Sequence, residues 1–199
     1  MMANVRFPLE QYASLELNQV AFPQNTLVVS QTPLGTEYTK NAPCENGMWV
    51  LADKAKGYIG SVVAATDKPI GIVYTAEKEY DTMHYGLKTF GRKIAGDYPR
   101  VGILSVGDTV TSNCFYYDNT ESGFAPTGSG DTAKTAEENM LATLAACATT
   151  PVYVVITAGS SIPKLTKVTP AANVAYGKVV KLYTMPNGEK GVKYQMIRV

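Results

Sequence analysis

Apolar positions along this chain fall in short runs punctuated by glycine, proline and polar turns. The densest set lies between Gly57 and Asn113. There residues 58–65, 69–75 and 101–111 are rich in Val, Ile, Tyr and Thr and carry Gly60, Gly71, Gly102 and Gly107. Branched and aromatic side chains suit a pleated, half-buried surface, and glycine within a strand marks a bulge, a bend or a close backbone approach. Further strands are predicted at 26–30, from Met48 onward, at 152–157 and at 165–168. Near the C-terminus, Asn187-Gly188 lies between two strand-like runs, and both residues accept the positive φ of a tight turn. A hairpin over 178–199 follows. One segment has helical spacing instead. Thr135 and Glu138 match a capping box, Glu137 and Glu138 complement the helix dipole, and Met140, Leu141, Leu144, Ala145 and Ala148 form an apolar stripe. The predicted helix spans 136–148 and stops before Pro151. The expected fold is mainly β: a compact β-barrel or β-tulip-like domain with one packed α-helix and an extended N-terminal arm.

The arm is assigned to residues 1–40 and the β-domain to 41–199, with a loop and helix insertion at 113–150. Phe7, Leu9, Tyr12, Leu15 and Leu17 are the apolar anchors of the arm, and Pro8 prevents a continuous helix face. In an extended chain Phe7, Leu9, Leu15 and Leu17 share one side and Tyr12 takes the other. These five are the candidate protein-interface residues if the arm lies on a neighbouring subunit. The competing reading makes the arm an edge strand of its own domain. Trp49 is expected in the core. The stretch 113–130 is rich in Gly, Ser, Thr and Asn, and its Phe115, Tyr116, Tyr117 and Phe124 are expected to be exposed.

Length and charge narrow the function. At 199 residues there is room for one domain with a real core. A net charge of +1 gives no overall pull toward nucleic acid, and the longest apolar runs are too short to cross a membrane. The N-terminal stretch lacks the features of a signal peptide. Cys44, Cys114 and Cys147 are odd in number and widely spaced, which suggests free buried thiols in a reducing cytosol. His84 is the sole histidine, so neither a zinc site nor a catalytic triad is expected. Glu77, Glu79 and Asp81 alternate, and one extended face would carry all three carboxylates as a Ca²⁺ site or an acid/base pair. Lys78 between them favours a solvated strand end. With no nucleophile elbow and no phosphate-binding loop, the expectation is a protein without catalytic activity and without cofactor or metal.

Local charge is more uneven. From Lys164 onward seven basic residues face Glu189 alone, whereas 118–138 holds five acids against Lys134. With Tyr176, Tyr183 and Tyr194 among the lysines, a stacking platform for single strands is one reading. A hairpin with lysines on its wet face is favoured over it, so nucleic acid is not an expected partner. A third reading has the acidic insertion and the basic hairpin of adjacent copies attracting each other.

The run Ala64-Ala65-Thr66-Asp67-Lys68-Pro69-Ile70-Gly71-Ile72-Val73 resembles a phrase of tailed-bacteriophage head-decoration, or capsid cement, proteins. Val101-Gly102-Ile103 and Val106-Gly107-Asp108-Thr109-Val110 are similar to the glycine-spaced strands that follow it there. The resemblance covers about a quarter to a third of the chain. It implies a compact β-barrel or tulip-like fold and no catalysis. It also implies attachment to the outer face of an icosahedral capsid through the major capsid protein, often as a homotrimer, in a virion assembled in the host cytoplasm. The alternative is a carbohydrate- or receptor-binding β-module of a phage tail or cell surface, with the aromatic residues of 115–124 as its contact surface.

Overall fold

The computed structural model describes residues 4–8, 13–15, 21, 28–29, 31–75, 93–186 and 188–199. Among these the chain is mainly β, with two sheets and one α-helix. The strands are β1 (Asn4–Arg6), β2 (Val28–Val29), β3 (Trp49–Leu51), β4 (Ile70–Val73), β5 (Val101–Ile103), β6 (Thr109–Ser112) and β7 (Tyr116–Asp118). After the helix α1 (Ala136–Ala145) come β8 (Tyr153–Val155), β9 (Lys164–Thr166), β10 (Tyr176–Thr184) and β11 (Lys190–Arg198). The larger sheet has seven strands in the order β1-β7-β9-β8-β10-β11-β6, and the smaller has four in the order β2-β5-β4-β3. All pairings are antiparallel except β7 with β9. Neither sheet closes on itself among the described strands, so the expected barrel gives way to two open, packed sheets.

Strands β3, β4 and β5 of the small sheet are buried on both sides, which explains why they read as unbroken apolar runs. Trp49 stands opposite Ile72, and Leu51 opposite Ile70, on one face. Trp49, Ile70 and Ile72 join Phe115, Val192, Tyr194 and Met196 of the large-sheet side in a single core. On the other face Val50, Val73 and Val101 pack with Leu34, Tyr38, Cys44, Ile59 and Cys114 in a second core. Gly71 sits opposite Val50 and Ile103, and a Cβ there would come within 2.3 Å of Val101 Cγ1. The glycine is needed because the second core closes directly over it.

Several predicted strands change form. Residues 58–65 supply only isolated bridges at Ile59 and Gly60. The chain then turns, because the Asp67 carboxylate accepts from the backbone N–H groups of Val63 and Ala64 at 2.9 and 2.8 Å. Residues 101–111 split into β5 and β6. The Ser105 N–H donates to Asp108 Oδ2 at 2.7 Å, and Gly107 takes φ +94°, which makes a turn where one strand was expected. The helix ends at Ala145, three residues short of the sequence expectation. The N–H of Cys147 already reaches back only to Leu144 O, a tighter turn than the α-helix allows. Its N-terminus follows the sequence: Thr135 Oγ1 accepts from Glu138 N, and Glu138 Oε2 accepts from Thr135 N at 2.7 Å. The C-terminal hairpin is present as β10 and β11 and begins slightly earlier, at Tyr176. Asn187 lies outside the described residues.

The described part of the arm joins both sheets, with β2 paired to β5 in the small one. β1 pairs with β7, and Phe7 donates from its backbone N–H to Phe115 O at 2.9 Å. Phe7 is fully buried, with its ring edge-on to Phe115 at 6.0 Å, and Leu15 is 8% exposed. Both side chains therefore fill this chain's own core, in correction of their expected place on a neighbour. Leu9, Tyr12 and Leu17 lie outside the described residues. Trp49 is in the core as expected, and Cys44, Cys114 and Cys147 are free and buried. No described helix is long and apolar enough to cross a membrane.

Two substitutions test this packing. Phe7→Ala is expected to lower stability by about 3–5 kcal/mol in urea unfolding, the usual cost of emptying a buried aromatic site. A side chain serving only a subunit interface would leave the unfolding of the monomer unchanged. Tyr194→Phe leaves the buried Trp49 indole N–H without its acceptor at 3.0 Å and is expected to cost about 1–3 kcal/mol in the same measurement.

Candidate functional site

Register assigns each side chain of the large sheet to a face, because residues directly opposite one another project to the same side. Val5, Tyr117, Leu165, Val154, Gly177 and Met196 form one row across six strands, and it faces the core. The neighbouring row faces away. It reads Arg6, Tyr116, Lys164, Val155, Tyr176 and Arg198 from β1 to β11. Beside it runs Thr166, Tyr153, Lys178, Gln195 and Thr109. Lys181 stands opposite Lys193 further along the hairpin. Most of these side chains are half-buried, while Lys178, Lys181, Gln195 and Arg198 are exposed.

This outer face is aromatic and basic. The Arg6 guanidinium lies 5.5 Å from the centre of the Tyr116 ring, Tyr153 and Tyr176 meet edge to face at 5.8 Å, and Lys181 Nζ sits 5.2 Å from the Tyr183 ring. Asp118 is the one acid among the paired outer positions, and Lys164 Nζ approaches its Oδ2 at 3.5 Å. Like charges directly opposite each other destabilise a sheet, yet Lys181 and Lys193 are paired in this way. Two β-bulges, where Val180 and Ile197 are skipped in the pairing, keep Lys178, Lys181, Lys193 and Arg198 on this side. Tyr194 belongs to the opposite face and is fully buried, so it is no part of a stacking platform.

A cleft of about 490 Å³ borders the β1 end of this face, between Arg6 and Tyr116 on one side and Glu37, Tyr38, Glu45 and Ser160 on the other. Its charges are already committed. Arg6 Nη2 bonds Glu45 Oε2 at 2.9 Å, the same oxygen accepts from Ala13 N at 3.0 Å, and Glu37 Oε1 accepts from Ser61 N at 2.8 Å. Ser161 Oγ is hydrogen-bonded to Tyr38 OH at 2.7 Å. Burial pushes the Tyr38 hydroxyl up in pKa, so it is no base for Ser161 at neutral pH. The thiol of Cys114 is likewise pushed up to about 12 by burial, only partly offset by the nearby Arg6 charge, and stays protonated. The cleft holds polar groups that support one another and no activated nucleophile.

Of the aromatic residues expected to be exposed in the insertion, Phe115, Tyr117 and Phe124 are buried. Tyr117 and Phe124 pack edge-on at 6.1 Å, beneath the layer that includes Met140 and Leu144 of α1. Only Tyr116 is half-exposed, and Arg6 covers it. The alternation of Phe115 and Tyr117 against Tyr116 and Asp118 was the available signal: it marks a strand with one dry face, in a segment whose overall composition suggests a loop. Glu77, Glu79, Asp81 and His84 lie outside the described residues. Lys178, Lys181 and Lys193 are where the basic hairpin was expected to place them, but the contribution of Arg6, Tyr116, Tyr153 and Lys164 from distant strands was missed. No family model matches this chain, and no curated protein or solved structure matches it either.

The outer face also sets a pH dependence. Hydrogen bonds from the Thr120 hydroxyl and backbone N–H, at 2.6 and 2.9 Å, hold the Asp118 carboxyl below its usual pKa, with Lys164 adding to the effect. Because the folded pKa is depressed, the unfolded chain takes up the proton first as pH falls. The contribution of Asp118 is fully present above the ordinary carboxylate pKa of about 4 and is lost as pH falls through the folded value. Thermal unfolding followed from neutral pH into the acid range is expected to show a falling Tm, and Asp118→Asn is expected to flatten part of that slope while lowering Tm at neutral pH.

Proposed function

We propose that this chain is a virion structural protein that decorates and stabilises the outer surface of an icosahedral phage capsid by binding the major capsid protein lattice. The observation that carries this reading is the form of the candidate site among the described residues: a broad, half-exposed sheet face lined with tyrosines and cations. A cement protein works by covering area on its neighbours. Small contacts per copy add up when many copies engage one symmetric lattice. The segments that resemble head-decoration proteins supply β4, β5, the start of β6 and the turns that lead into β4 and β6. Tyrosine and arginine, which are enriched in protein interfaces, recur on the outer face in Arg6, Tyr116, Tyr153, Tyr176 and Arg198. Self-association as a trimer is part of the proposal, and so is assembly onto heads in the host cytoplasm.

The expected result is that the purified chain co-sediments with undecorated heads of the phage whose genome encodes it and raises the temperature at which those heads disrupt. Sedimentation velocity on the free protein gives its oligomeric state. No co-sedimentation and an unchanged disruption temperature would sink the decoration role.

A further inference from the structure

We infer that the outer face of the seven-stranded sheet is a docking surface for an acidic protein partner, and that its hairpin end makes the dominant contact. Identifying that partner with the capsid lattice rests on the decoration reading above; the charge preference of the face does not.

The formal net charge of the chain is only +1, so this face is not basic because the whole protein is. Register collects cations from separate parts of the sequence onto one side: Arg6 from β1, Lys164 from β9, Lys178 and Lys181 from β10, and Arg198 from β11. The acid on the same side, Asp118, is bound to Thr120 and Lys164. Glu45 is bound to Arg6 at the β1 end. Among the described residues, the paired acid of this face lies toward the β1 end, and the hairpin end carries exposed Lys178, Lys181 and Arg198 with no acid at their paired positions. Carboxylates on a partner would complement these exposed cations.

The aromatic geometry separates an acidic protein from a nucleic acid. A single-strand platform needs ring faces open to stacking bases. Here Arg6 lies over Tyr116, and Tyr153 and Tyr176 are turned edge to face against each other, all three rings being half-buried. Rings packed in this way present edges and hydroxyl groups alongside cations, a surface that suits carboxylate and backbone acceptors on another protein.

The test compares the wild type with K178E/K181E and K178Q/K181Q. Both positions are exposed, and circular dichroism with thermal unfolding checks that each variant is folded. Three probes are used at two salt concentrations: poly-L-glutamate, oligo-deoxythymidylate and undecorated capsids. The wild type is expected to bind poly-L-glutamate in a salt-sensitive manner. The charge reversal should weaken that binding, and binding to capsids, by about tenfold or more, with the neutral variant intermediate. Capsid binding that is the same in all three proteins would overturn the docking face while leaving decoration intact. Capsids ignored by the wild type, with poly-L-glutamate bound through Lys178 and Lys181, would overturn decoration and keep the face. Tighter binding of oligo-deoxythymidylate than of poly-L-glutamate would overturn the protein partner in favour of a nucleic acid, and binding of none of the probes would overturn the inference outright.

Discussion

A buried polar contact joins the two sheets: the Trp49 indole N–H donates to the Tyr194 hydroxyl at 3.0 Å within the hydrophobic core between them. Each group would be costly to bury alone, so neither sheet can seal its inner face without the other in register. Around this pair the rings continue from Tyr194 to Phe115 at 5.8 Å and from Phe115 to Phe7 at 6.0 Å, each edge to face. An unbroken aromatic path therefore runs from the small sheet through β11 to the segment that follows β1. Burial raises the Tyr194 hydroxyl pKa, so the contact stays neutral under ordinary conditions.

This anchoring leaves the outer rows of the large sheet outside the hydrophobic core. Everything the core needs is met from the other side by the small sheet and by α1, whose Met140 and Leu144 are fully buried. Outer positions can therefore carry cations and tyrosines without entering that core. At the β1 end Arg6 is locked to Glu45 and the same carboxylate also holds the Ala13 N–H. There a surface charge doubles as the clasp of the N-terminal segment, and β1 is correspondingly fixed to β7.

What was legible in the sequence was local chemistry. Thr135 and Glu138 announce a helix start because both reciprocal hydrogen bonds are made within four consecutive residues. The hairpin shows itself in the alternation of its own strands, and Trp49 in the apolar run around it. Less visible were features decided by partners far along the chain. Phe7 looks like an anchor for a neighbour until Phe115 is placed beside it. Residues 58–65 look like a strand until the Asp67 side chain captures the backbone of Val63 and Ala64. The candidate site was only half readable for the same reason: its hairpin lysines are close in sequence, whereas Arg6, Tyr116 and Lys164 meet only because β7 runs parallel to β9 with β1 outside it.

That strand order has a consequence for how the protein comes into being. β1 leaves the ribosome well before its partner β7, which begins at Tyr116, and β7 is flanked on its other side by β9, which begins at Lys164. Pairings between distant segments form slowly because a long loop must close before any contact rewards it. During synthesis Phe7 therefore stays exposed to water until more than half of the chain has been made. β1 must wait for β7, and the growing chain carries Phe7 without its Phe115 neighbour throughout that interval.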